Sequence, residues 1–90
     1  MSTSAIDTLS LKLVHIIQTK DPKKVSYWAN RLDNQKNQFL VAQVMARINR
    51  HLKTHDERLY NWFHDIYFAD YSPEVKKLWL DFVDLCSLSL

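Results

Sequence analysis

The stretch Asn37 to His55, NQFLVAQVMARINRHLKTH, is the longest run of the chain without proline, glycine or a turn cluster, and it carries apolar residues on two sides. At about 100° per residue Leu40, Val41, Val44, Met45, Ile48 and Leu52 fall on one arc, the stripe of an amphipathic helix. Phe39, Ala42 and Ala46 fall nearly opposite, as a narrower stripe of one large and two small side chains. A helix apolar on two faces belongs between other helices. The expectation is therefore an all-α fold: one small antiparallel bundle of four to five helices around a central helix at about residues 36–54, with residues 1–90 forming a single domain.

The flanking segments supply the other rods. Ile6, Leu9, Leu13, Ile16 and Ile17 share a face, with Ser4 set three residues before Asp7 in a capping-box-like start. Lys20-Asp21-Pro22 ends that helix and starts the next, with Asp21 as N-cap and Pro22 at the first helical position. The second helix offers Val25, Trp28, Ala29 and Leu32 to the core, and the DNQK cluster at 33–36 turns without glycine, using residues that tolerate left-handed backbone. Thr54 or Asp56 caps a fourth helix from Glu57 to about Ala69, whose core face is Leu59, Trp62, Phe63, Ile66 and Tyr67, with Phe68 apart. Ser72-Pro73-Glu74 opens the last helix, where Val75, Leu78, Trp79, Phe82, Val83, Leu85 and Cys86 share a side and Leu80 is misplaced.

Composition narrows the chemistry. The 90 residues contain no glycine, where average usage would give about six. Hairpins and tight βα turns lean on glycine for positive φ, and so do phosphate loops and dinucleotide fingerprints, so these are excluded. A lone cysteine, Cys86, rules out an internal disulfide framework and points to a reducing, cytoplasmic setting. No signal-peptide pattern and no membrane-length apolar run are visible, so no membrane partner is expected. Hydrophobic residues make up 47% of the chain, ample for a core.

Few residues suggest reaction chemistry. Cys86 sits on a core stripe, and the Asp81 and Asp84 carboxylates lie on a solvent face where nothing raises a pKa. We expect no catalytic residues, no enzyme activity and no cofactor. His51 and His55 are four apart, a spacing used in helical metal sites, but no third ligand is demanded and no metal is expected.

Charge is more informative. Through His55 nine Lys/Arg stand against three Asp/Glu; from Asp56 onward three stand against seven. Such a split polarises a surface. Two binding readings follow. In the first, the chain is a non-enzymatic protein-interaction module, an adaptor, regulator or inhibitor/immunity-type factor. Its Tyr60, His64, Phe68 and Tyr71, bordered by Asp65, Asp70 and Glu74, would anchor a basic amphipathic segment of another protein, or the basic half of a second copy in a homodimer. In the second, Lys23, Lys24, Tyr27, Arg31, Arg47, Arg50 and Lys53 form a nucleic-acid-binding face on the second and third helices. Against it, the turn lacks the glycine usual in a helix-turn-helix, and the third helix is long and two-sided.

Overall fold

A computed structural model describes residues 3–87, with side chains from residue 5 onward. Among them are five helices and no strand: α1 Thr3–Gln18, α2 Pro22–Asp33, α3 Gln38–His55, α4 Glu57–Tyr67 and α5 Pro73–Ser87. All four other helices pack against α3. The cause is visible in its side chains: Val41, Val44, Met45 and Ile48 on one side and Ala42 on the other are wholly excluded from solvent, and Ala46 and Leu52 are buried. The two alanines let a neighbouring backbone approach the second side closely. Phe39, the large member of that second stripe, is half exposed instead of buried. The radius of gyration, 12.2 Å, matches the about 12 Å expected for a folded chain of this length.

The helix starts follow local chemistry. The Asp21 carboxylate accepts from the backbone N–H groups of Lys23 and Lys24 at 3.1 and 3.3 Å, with Pro22 behind it in the first turn. Asn37 accepts from Leu40 N–H, and Ser72 Oγ accepts from Val75 N–H. Asp56 is shared: its N–H donates to Leu52 at the end of α3, and its carboxylate accepts from Leu59 N–H at the start of α4. Thr54, the other candidate cap, instead turns its hydroxyl back to the Arg50 carbonyl. Ser4 does not start α1, because the helix already includes Thr3; its side chain lies outside the described residues.

Left-handed backbone falls at Lys20, φ 59°, and not in the 33–36 cluster, where Asn34 has φ −86°. Asp33 closes α2 and serves a different purpose. Its carboxylate accepts from the Tyr67 hydroxyl at 2.7 Å and the Tyr71 hydroxyl at 2.9 and 3.0 Å, latching the end of α2 to the end of α4. Burial, followed by the Asp33 carboxylate, pushes both phenols up, Tyr71 to about 12. Both stay protonated donors at any ordinary pH.

The last helix departs most from expectation. Of its apolar side, Val83 and Cys86 are buried and Trp79 is half-buried, joined by Leu80, which the pattern had placed outside. Val75, Leu78, Phe82 and Leu85 face solvent, at 50%, 69%, 36% and 66% exposure. The apolar arc of α5 spans more than half its circumference, and its backbone lies close to α3 alone. Packing on α3 covers one half of such an arc, and Lys76 beside it reaches the Phe68 ring past the end of α4.

The two rows should respond differently to truncation. Ile48→Ala removes a fully enclosed side chain and should cost about 2–5 kcal/mol, whereas Leu78→Ala should change stability by less than about 0.5 kcal/mol, both read from urea unfolding curves. Comparable losses at the two positions would contradict the division of α5 into a packed row and an open row.

Candidate functional site

The aromatic residues of α4 and of the turn that follows it form a ladder, built on the i, i+4 spacing of Tyr60, His64 and Phe68. Tyr60 and His64 ring centres lie 4.1 Å apart, His64 and Phe68 5.4 Å, and Phe68 and Tyr71 5.0 Å, with Tyr67 edge-on to Phe68 at 4.8 Å. This ladder faces inward. His64 and Phe68 are buried and Tyr60 and Tyr71 half-buried, so the expected anchor patch is part of the core. Phe68 does not stand apart from the packed face, because the chain turns inward just past the end of α4 at Tyr67. Asp65, Asp70 and Glu74 are exposed as expected.

His64 has a particular electrostatic setting. Its Nε2 lies 2.8 Å from the Asn49 amide oxygen, an acceptor, so the neutral ring carries its proton there. Burial, then the Lys76 and Lys53 ammonium groups, lower its pKa to about 4, with Asp65 opposing them. The Lys53–Tyr60 and Asn49–His64 contacts also show that α3 and α4 run antiparallel.

The basic residues do not make one face. Arg47 turns toward α1, where it forms an ion pair with Asp7. Lys53 turns toward α4, over the Tyr60 ring at 5.1 Å. Arg50 joins Arg47, His51 and His55 along the groove between α1 and α3. On α2, Lys23, Lys24, Tyr27 and Arg31 are exposed, and the Arg31 guanidinium lies over both the Tyr27 and Trp28 rings at 5.6 and 5.5 Å. That cation is partly occupied by its own aromatic neighbours.

His51 and His55 stack at 4.4 Å, and His55 Nδ1 contacts the His51 carbonyl at 2.9 Å. Among the described residues no three His, Cys, Asp or Glu side chains gather as a metal set. Burial raises the Cys86 thiol, which keeps it protonated and a poor nucleophile.

Two surfaces emerge that the pattern reading missed. One is the ridge of α5, Val75-Leu78-Phe82-Leu85, whose 3-4-3 spacing makes a straight row. Glu74 and Asp81 border it, with Lys77 paired to Asp81 at 3.2 Å and Asp84 beyond. The other is an open groove of about 580 Å³ along α1, walled by Leu9, Leu11, Leu13 and Ile16 with Trp28 of α2 on its far side and Lys12 and His15 at its edge. Trp28 borders the interior beside Val25, Ala29 and Leu32, as its face requires, yet remains more than a third exposed. The excess width of the α5 arc was a signal in the sequence; the groove needed two helices placed side by side.

A pH dependence follows from His64. In the unfolded chain the imidazole titrates near its ordinary 6.5 and in the fold near 4, so protonation favours unfolding. Stability is full above about pH 6.5 and falls as pH drops toward 4, by up to about 3 kcal/mol. Denaturant curves at pH 7 and pH 4.5 should show this loss in the parent chain beyond that in His64→Gln, which keeps a donor to Asn49. An NMR titration of the ring with a midpoint near 6.5 would refute it.

No known protein family, curated protein or solved structure matches the chain.

Proposed function

We propose that this chain is a non-enzymatic protein-interaction module, an adaptor or regulator, that captures a partner along the ridge of α5. The observation that carries the reading is the row of four large apolar side chains left in water by a helix whose other row is packed. Contiguous exposed apolar strips of this kind mark interaction sites when rimmed by polar groups. The ridge exposes about 400 Å², and at about 25 cal/mol per Å² its covering contributes roughly 10 kcal/mol before the cost of association. That cost leaves room for affinity in the micromolar class.

The occupant that suits it is a basic amphipathic helix. Its own i, i+3 and i+4 apolar positions match the 3-4-3 row, and its Lys and Arg residues would meet Glu74 and Asp81. The rim carboxylates select by sign; the leucines supply most of the affinity. The single cysteine, buried and protonated, suits a reducing compartment, and we place this activity in the cytoplasm.

A fluorescently labelled helical peptide with a leucine face and a lysine back tests this by anisotropy. The parent chain should bind it, and a peptide with glutamate in place of lysine should bind at least tenfold more weakly. Leu78→Asp with Leu85→Asp should weaken capture by 30-fold or more while far-UV circular dichroism stays unchanged, a loss of about 2 kcal/mol or more. Capture that survives the double substitution, or equal capture of the acidic peptide, would overturn the reading.

A further inference from the structure

We propose that the α5 ridge of one copy docks into the α1/α2 groove of another copy, so that the chain associates head to tail. This inference rests on the reading of α5 as a docking ridge, and names its partner.

The two surfaces are complementary in shape and sign. The ridge is a straight convex row of Val75, Leu78, Phe82 and Leu85. The groove is an open apolar depression along α1, closed on one side by the partly exposed Trp28 of α2. Along one flank of the ridge stand Glu74 and Asp81, the latter paired with Lys77. Around the groove stand Lys12 and His15, with Lys24 and Arg31 one helical turn either side of Trp28. No carboxylate lines the groove. The nearby acids have other duties: Asp7 is paired with Arg47, Asp21 caps α2, and Asp33 holds the two tyrosines. The uneven division of charge between the halves of the sequence thus becomes two oppositely rimmed apolar surfaces.

Other ways of covering the ridge fit less well. Two α5 ridges laid antiparallel would set Glu74 of one copy against the Leu85 end of the other and bring the two central Asp81 residues near each other, so that pairing offers the ridge no cationic rim beyond Lys77. A ridge cannot fill its own groove either, since α5 and α1 both pack on α3 and their backbones do not approach each other. Contact must be between molecules. Size also suits: apolar atoms form a little over half of a typical interface, so an apolar centre of about 400 Å² implies a footprint of about 700 Å² per partner, close to the about 800 Å² of a standard specific complex.

Complementation of two crippled copies tests the pairing. One variant, Leu78→Asp with Leu85→Asp, keeps the groove and loses the ridge; the other, Leu11→Glu with Trp28→Glu, keeps the ridge and loses the groove. Sedimentation velocity from about 10 µM to about 1 mM should show the parent chain growing in mass with concentration, each variant alone monomeric, and the equimolar mixture forming a one-to-one pair. A charge-only set checks the result without touching apolar contacts: Glu74→Lys with Asp81→Lys, and Lys12→Glu with Lys24→Glu, should each weaken association about tenfold alone and restore it when mixed.

A parent chain monomeric throughout, a groove variant that still self-associates, or a mixture that stays monomeric would overturn the inference. The basic peptide separates this failure from that of the ridge itself. A chain that is monomeric yet captures the peptide retains the ridge reading and loses only the identity of the occupant.

Discussion

The middle helix cannot be wetted on either of its two apolar sides, and the rest of the fold is arranged to satisfy that constraint. Leucine, valine, methionine and isoleucine fill one side of α3, and alanine at 42 and 46 keeps the other narrow enough for a second layer to close on it. Four helices are needed to surround such a rod. The connections that bring them there are short: Asp56 alone separates α3 from α4 and serves the termini of both. Without glycine, left-handed backbone is taken by Lys20, a residue that adopts it at a cost of about 1 kcal/mol.

Much of this was legible in the sequence because the signals were local. Asp21-Pro22 and Ser72-Pro73 mark helix starts by their hydrogen-bonding chemistry, which depends on nothing distant. The two-sided pattern of α3 likewise identified the centre before any neighbour was known. The failures are of a different kind. Periodicity gives the angular position of a side chain on its helix, and burial depends on how many neighbours that helix has. On α5, Val75 and Val83 belong to one broad arc, yet one is half exposed and the other enclosed. His64 and Phe68 were placed outward because polar or off-stripe residues usually are; the inward ring ladder and the Asn49 amide give them a dry environment instead. Asp33 was read as a turn residue, and its two tyrosine partners lie 34 and 38 positions away.

The proposed mode of action joins these observations. With the aromatic residues of α4 packed into the core, the proposed recognition falls to apolar side chains on α5 and to an indole on α2. Exposed charge of opposite sign borders the two apolar surfaces, Glu74 and Asp81 beside the ridge and Lys12 beside the groove. The thiol is enclosed, and the imidazole of lowered pKa is tied to an amide in the interior.

The backbone of α5 approaches that of α3 alone, with Lys76 reaching the Phe68 ring past the end of α4, and this has a dynamic consequence. Segments that open independently are those with the fewest neighbours to abandon, so the last helix is the natural first unit to lift away while the other four stay assembled. A guest seated on its outer row would clamp that helix from behind. Occupancy and the local opening equilibrium are thereby linked, and slow amide exchange confined to 73–87 would signal a loaded molecule even if no backbone atom had shifted.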